Sequence, residues 1–349
     1  MDIVITLLVF FAIIIIHELG HFVAARIFKM NVDEFTIGMG PRLFKIRGKN
    51  TLFSFRLLPI GGAVQLGEDI ESDDPNSFRN KPVWQRMIVI VAGAFMNLVL
   101  GLIVCIISVS IDDAIATTQV SVFTDESVSS EVLMVGDEIV KVNDMAIWTT
   151  MDISYCFQNT VAEADENADR VYFDMEVIRN GERIVLDNVP FALNRNEDRT
   201  AGIVIDFAVQ PVEKSFATVN SAAFRTALTE GRLIWITLFD LIKGTYGIND
   251  LSGPVGVVTT MSDAYKTMSF DQFLVLVAFI TINIGIMNLL PIPALDGARF
   301  IFLLIEAIRR KPIPAEKEGI VHFVGFAALM ILMLIVTFND ISRIFTGGQ

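Results

Sequence analysis

Residues 3–27 read IVITLLVFFAIIIIHELGHFVAARI. A bilayer core of about 30 Å takes roughly 20 residues of helix to cross, and this run carries no charged residue before Glu18. It therefore reads as a membrane-spanning helix whose far end holds His17, Glu18 and His21. Residues four apart share a helix face, so the two imidazoles project together with the glutamate beside them. That is how a metalloprotease helix offers two nitrogen ligands to zinc and a general base to water. In hydrocarbon a charged side chain costs about 3 kcal/mol or more unless it is paired or functional. The plainer alternative is a helix that leaves the membrane at Ile16, with the three residues lining the headgroup region. Gly20, Ala24 and Ala25 add a small-residue face for close helix packing. Met1-Asp2 supplies no basic stretch and no small-residue cleavage site follows, so the run is expected to stay as a span.

Outward from this helix, three more apolar runs pass the same length test: Met87–Ile111, Phe273–Leu290 and Val321–Phe338. Their orientation follows from lysine and arginine in the flanking loops. Arg26–Arg86 holds ten basic residues and Arg299–Lys317 holds five, which turns both toward the cytoplasm and puts both termini outside. Ala217–Tyr246 interleaves Phe224, Leu228, Leu233, Ile234 and Leu238 with Arg225, Glu230, Arg232, Asp240 and Lys243. A lipid-facing helix does not tolerate charges at that frequency. An amphipathic helix along the outer interface is expected in place of a fifth span.

The 349 residues are 53% apolar and 19% charged, yet the formal net charge is −13, with a mean hydropathy of +0.56. The two properties belong to different stretches. Asp112–Glu213 holds 21 of the 40 acidic residues and six of the 27 basic ones, which accounts for the whole negative excess. It reads as a soluble domain inserted between membrane parts, outside the membrane by the orientation above. A nucleic-acid binder needs a basic face, and a disordered chain has far fewer apolar residues, so both classes are excluded. Cys105 lies in an apolar run and Cys156 in a polar one, and both are expected to be free thiols.

A catalytic zinc takes three protein ligands and keeps a fourth position open. The chain has three histidines, which leaves His322 as the one spare imidazole. The other source is a carboxylate at membrane depth. Residues 283–300, NIGIMNLLPIPALDGARF, break the third apolar run with Pro291 and Pro293 and then place Asp296. Broken helix is tolerated at that depth only where it lines a protein cavity. Asp296 is a ligand candidate or, since Asp-Gly is a common turn pair, a helix-exit residue. His322, at the start of the fourth run, is a ligand candidate or an interfacial residue.

The blocks HELGHFVAARIFKMNVDEFTIGMGPRLF, LLPIGGAVQLGED, KPVWQRMIVIVAGAFMNLVLG, LSGPVGV and NLLPIPALDGARF follow one another along nearly the whole chain. In them the sequence resembles the membrane-embedded site-2 proteases, in particular the bacterial regulator-of-sigma-E branch (RseP-type). The resemblance implies that His17, His21 and Asp296 hold Zn2+ and that Glu18 is the catalytic base. It implies that Asn97, Asn288 and Pro291 lie near the cleft and help hold an unwound substrate, although a buried asparagine can also simply join two helices. Thr51–Glu68 alternates in a β-rich pattern interrupted by Pro59 and Gly61-Gly62, a hairpin-like signature. By resemblance this is a membrane re-entrant β-loop; the alternative is an ordinary cytoplasmic hairpin. In the insert, residues 136–144 (GDEIVKVND) and 201–207 (AGIVIDF) resemble strands of a single PDZ domain, with a departure from its usual small-residue pattern at Glu131-Val132-Leu133.

The expected fold is an α-helical polytopic membrane protein of about four transmembrane helices, with a membrane-associated β-hairpin loop and an inserted extracytoplasmic α+β PDZ-like domain. Residues 1–111 would hold the first two spans, the zinc motif and the β-loop, and 112–213 the PDZ-like domain. Residues 214–270 would hold the interfacial helix and a connector, and 271–349 the last two spans with the Asp-Gly motif. The expected activity is zinc-assisted hydrolysis in or near the transmembrane segment of single-span membrane proteins, at the cytoplasmic side of a bacterial cell membrane. The resemblance points to anti-sigma factors or remnant signal peptides as substrates. Membrane lipid is the other expected partner, and nucleic acid is not one. A catalytically silent membrane adaptor using the PDZ-like insert is the rival, and the intact Glu18 speaks against it. A zinc transporter would instead spread polar residues along several spans.

Overall fold

From Ile3 to Ile16 only Thr6 carries a polar side chain that could compete for the backbone, and the chain there is helical. The structure is a computed structural model and describes residues 2–67, 74–163, 168–195, 201–245, 247 and 251–346. Glu68, Asp69 and Tyr246, at the ends of two segments singled out in the sequence, lie outside the described residues. In chain order the helices are α1 (Asp2–Ile27), α2 (Val83–Ile111), α3 (Thr150–Glu163), α4 (Phe216–Lys243), α5 (Pro254–Thr267), α6 (Phe270–Leu289), α7 (Asp296–Arg309) and α8 (Ala315–Thr346). The strands are β1 (Glu34–Arg47), β2 (Leu52–Gln65), β3 (Ile115–Phe123), β4 (Glu138–Val142), β5 (Met145–Ala146), β6 (Arg170–Arg179), β7 (Glu182–Arg195), β8 (Ala201–Ile203) and β9 (Phe207–Val212).

Among these, α1, α2, α6 and α8 are long and apolar enough to cross a membrane. They overlie the four apolar runs of the sequence; α1, α2 and α6 match their runs to within four residues at either end, while α8 runs well past its own at both ends. The 28-residue α4 is not in that set, because its charges recur along its length. The chain forms two compact units, residues 1–104 with 233–349, and residues 105–232.

In the first unit α1, α2 and α6 meet through glycines, as close packing in lipid requires. A Cβ on Gly20 would overlap the Ala92 carbonyl, and one on Gly285 would stand 3.2 Å from the Ala94 carbonyl oxygen. Ile13, Met261, Phe273 and Val277 form the core between α1, α5 and α6. Ala25, Val89, Ile90 and Leu303 form another between α1, α2 and α7. From sequence, 214–270 after its first helix is a connector and Arg299–Lys317 a loop; the structure puts α5 in the first and most of α7 in the second. The N-terminus of α5 explains part of the LSGPVGV block. Gly253 at the N-cap has no side chain to cap with, and Asp340 of α8 does so instead, accepting from Gly253 N at 3.1 Å and Gly256 N at 2.7 Å.

The β-rich segment is more than a hairpin. Segment 42–47 of β1 runs antiparallel to 52–56 of β2. Segment 34–37 lies between 52–55, to which it is parallel, and 62–65, to which it is antiparallel. Gly38 (φ 86°), Gly40 (φ 87°) and Gly61 (φ 74°) occupy the left-handed region at the bends, where a Cβ is disfavoured. Glu34 is buried within this sheet, taking Ser54 Oγ at 2.5 Å and Arg42 Nη2 at 2.6 Å. Burial raises its carboxyl, but the bonds from Ser54 and Thr36 and the Arg42 charge outweigh that and hold it below the ordinary range.

The second unit contains a sheet ordered β8-β7-β6-β4-β3-β9 with β5 beside β4. Alternation along β6 turns Val171, Phe173, Met175 and Val177 inward against Phe157 of α3, Ile139 and Phe191. Asn180 (φ 54°) and Gly181 (φ 85°) form the tight turn between β6 and β7. Three of the insert's carboxylates are structural. Asp137 is fully buried and bonded twice by Arg179, at 2.7 and 2.8 Å. Asp206 accepts from Val128 N, Ser129 N and Ser129 Oγ. Asp152 caps α3 through Trp148 N and Thr149 N and pairs with Arg232, whose guanidinium lies 3.9 Å from the centre of the Trp148 ring. Cys105 and Cys156 are free thiols.

Candidate metal centre

His17 and His21 lie on one face of α1, and their Nε2 atoms are 3.2 Å apart. The third member comes from a non-helical turn. After α6 ends at Leu289, Pro291 and Pro293 prevent its continuation, and α7 begins at Asp296. Asp296 Oδ2 stands 3.2 Å from the Nε2 of each histidine. Gly297 is not a turn glycine, because it is already helical. Its role is packing: a Cβ there would overlap the Leu289 and Leu290 carbonyl oxygens. The Asp-Gly pair thus lets the start of α7 press against the end of α6, which carries Asp296 to the histidines.

Four ligands held tetrahedrally at about 2.0–2.1 Å stand about 3.3–3.4 Å from one another, against 3.2 Å for all three pairs here. The protonation pattern fits as well. His21 Nδ1 lies 2.8 Å from the Val89 carbonyl oxygen, so it carries the proton and donates it there, leaving a lone pair on Nε2. His17 Nδ1 lies 3.4 Å from the amide of Asn97, which is fully buried and whose Oδ1 has no other partner. With the amide turned so that Oδ1 accepts from His17 Nδ1, the second imidazole also directs a lone pair inward. With both rings neutral, two imidazole lone pairs and a carboxylate oxygen converge, an arrangement that a cation among them would stabilise. His17, His21 and Asp296 therefore fit a metal ion.

Glu18 is buried beside this group. Its neighbour is the sheet: a Cβ on Gly62 would stand 2.6 Å from Glu18 Cγ and 3.1 Å from Oε1. Segment 62–65 is the sheet edge that borders the glutamate, and no strand pairs with its other side among the described residues. Asn288 bonds back to the Ile284 carbonyl at 2.9 Å within α6, and Pro291 is exposed at the start of the turn. His322 is apart from the triad and accepts from Ala294 N at 3.0 Å. Glu306 is held by Arg86. Reading by residue type did not find Val89 or Gly93. Gly93 faces His21, and its lack of a Cβ is what admits the Nε2 atom. A glycine four residues before Asn97 in an apolar helix is the signal that could have marked it.

The pattern of peptidase family M50 matches residues 5–332 of the chain. The chain belongs to peptidase family M50. A candidate zinc metalloprotease of Clostridium acetobutylicum is 36% identical over 345 residues, covering 97% of each chain. A candidate zinc metalloprotease of Fusobacterium nucleatum is 32% identical, over 95% of this chain and 96% of its own. The regulator of sigma-W protease RasP of Bacillus subtilis is 29% identical, over 97% of this chain and 98% of its own. As an M50 peptidase with four apolar helices of spanning length, the chain is a multi-pass intramembrane zinc metalloprotease of the site-2 type.

Proposed function

We propose that His17, His21 and Asp296 are the zinc ligands of this M50 peptidase, that Glu18 is its base, and that it cuts single-span membrane proteins within or near the membrane. The observation that carries this is the triangle of ligand atoms 3.2 Å on each side, with Glu18 buried next to it on the same helix. Zinc held there supplies Lewis acidity, making water deprotonable near pH 7 and polarising the scissile carbonyl. Glu18 would take a proton from the attacking water and return it to the leaving amine. Val89 and Asn97 keep the two imidazoles in the ligating tautomer. A helical peptide bond is shielded, so the substrate must be extended where it is cut. Segment 62–65 offers an unpaired edge beside Glu18 to which an extended strand can add. Asn288 and Pro291 border the turn that carries Asp296 and are candidates for holding that strand.

The β-rich insert at 112–213 is a PDZ-like domain outside the membrane, acting as a filter that admits substrates already shortened on that side. Residues 1–111, 214–270 and 271–349 form the membrane parts around it, with α4 along the outer interface and lipid as the surrounding partner. The name of the Bacillus subtilis relative, regulator of sigma-W protease, favours anti-sigma factors as substrates, with remnant signal peptides as the other class. The basic loops favour a cytoplasmic-facing site, and the bacterial relatives favour a bacterial cell membrane. Protease added outside sealed cells clips 112–213 in this orientation and spares it in the opposite one. For the chemistry, the full chain and its Glu18→Gln form are purified in detergent and given a single-span substrate. Retained zinc with cleavage reduced about 100-fold or more is expected for loss of a general base. Equal cleavage by the two forms would overturn the assignment.

A further inference from the structure

The turn that delivers Asp296 has one conspicuous strained residue. Ala294 adopts φ 77°, a conformation that a residue with a Cβ keeps only when its surroundings hold it there. The neighbouring backbone donors bond within the turn: Leu290 N to Met287 O at 3.1 Å, Ile292 N to Leu290 O at 2.7 Å, and Leu295 N to Ile292 O at 3.1 Å. Pro291 and Pro293 have no N–H to give. The Ala294 N–H points outward instead and donates to His322 Nδ1 of α8 at 3.0 Å. One turn further along α8, Gly325 fits against Pro293, where a Cβ would overlap the proline ring.

The imidazole itself is oriented for this bond. Phe302 meets its ring edge to face, with centroids 5.5 Å apart. An Nδ1 that accepts carries no proton, so the neutral ring bears its proton on Nε2, which faces Glu318 Oε1 at 3.9 Å one helical turn back. We propose that His322 is a positioning residue for Asp296. It holds the strained turn through Ala294 and so ties the seating of α8 to the retention of zinc. This rests on the reading of Asp296 as a zinc ligand.

The test uses the full chain in detergent, with zinc retention measured by chelator competition alongside kcat and KM. His322→Leu removes the acceptor and keeps a side chain of similar size at the edge of a cavity of about 900 Å3. Loss of a group that orients a metal ligand weakens the metal by about 10- to 100-fold, and kcat should fall with KM little changed. His322→Asn puts an amide oxygen near the position of Nδ1 and should restore zinc retention to within about threefold of native. Ala294→Gly removes the strain, so adding it to His322→Leu should recover part of the lost retention. If His322→Asn loses as much zinc as His322→Leu and Ala294→Gly recovers nothing, His322 only fills space and the proposal fails. Should His322→Leu not assemble, His322→Asn decides alone: retention within about threefold supports the proposal, and a loss above about tenfold overturns it. Asp296→Ala is the separating control. Unchanged zinc in that form sinks the ligand assignment itself, whereas lost zinc there with native retention in His322→Leu sinks only the role of His322.

Discussion

Replacing Gly93 by alanine tests whether the metal triangle depends on the α1–α2 contact. The added Cβ would overlap His21 Nε2 and stand 2.7 Å from Cε1 and 2.8 Å from Cδ2. Carbon atoms in contact sit about 3.5–4.0 Å apart, so the helices must part or the ring must swing by about 1 Å. Ligand distances tolerate about 0.2 Å. A ring that swings also leaves the Val89 carbonyl, which fixes its tautomer at 2.8 Å. Disturbing a group behind a ligand costs about 10- to 100-fold in metal affinity, and here the ligand itself moves, so a loss of about 100-fold or more is expected. Overpacking should cost a further 1–3 kcal/mol or so of stability. Gly101→Ala is the control. It lies on the same helix and its Cβ would press on Ile282, with Cδ1 3.1 Å away, far from the triad. Chelator competition and thermal unfolding in detergent are measured on both. Gly93→Ala should lose zinc and Gly101→Ala should lose only stability. If the two variants are equally destabilised and both keep native zinc affinity, the triangle does not depend on this packing and the reasoning is wrong.

Three other outcomes follow from contacts away from the triad. Asp340→Ala leaves two donors at the start of α5 without their charged acceptor, a loss of about 3 kcal/mol at roughly 1.5 each. Asp340→Asn should recover about half, read by unfolding in detergent. Arg179→Met strands the buried Asp137 carboxylate, which costs about 3–5 kcal/mol. Limited proteolysis of the full chain should then cut within 112–213 while the membrane part survives, and native resistance would count against the pair. Burial, followed by the nearby Asp152 carboxylate, pushes the Cys156 thiol up to about 11. Since only the thiolate reacts, alkylation in a Cys105→Ala background should be about 200-fold slower at pH 8 than for an ordinary thiol and climb about tenfold per pH unit until about pH 11. Labelling at the ordinary rate at pH 8 would refute that environment.

The spans were legible because an uncharged apolar run is a one-dimensional signal: α1, α2 and α6 begin and end within a few residues of it, and α8 contains its run but extends into the charged residues on both sides. The His17–His21 pair was legible for the same reason: a spacing of four on a helix fixes a shared face. What the sequence hid is non-local or mixed in composition. In α7, Arg299 and Arg309 look like loop charges, yet they lie on a helix whose inward side holds Ala298 and Leu303. In β1, Gly38, Gly40 and Pro41 interrupt the alternation, so its pairing with both ends of β2 does not show in either segment alone. Gly93, Val89 and His322 owe their importance to which residue stands opposite. No periodicity along the chain reports that.

Irregular backbone is the route by which this chain completes the triangle. Two histidines at i and i+4 supply two corners of a triangle from one helix, and the third corner must then stand 3.2 Å from both. Here that corner comes from Asp296, the residue that opens α7 just after the break in the chain at Pro291 and Pro293. The break at Pro291 and Pro293 brings Asp296 close, and it takes the backbone donors of the turn out of the helical ladder. The chain answers with bonds inside the turn at Ile292 and Leu295 and with His322 for Ala294. Gly62 solves the matching problem on the other side, letting a strand with an unpaired edge lie against Glu18. On the proposed reading, this edge beside Glu18 is where an extended substrate would satisfy its own backbone. On that reading, the turn at Pro291 and Pro293 would position the third ligand and the open edge at 62–65 would receive the bond to be cut.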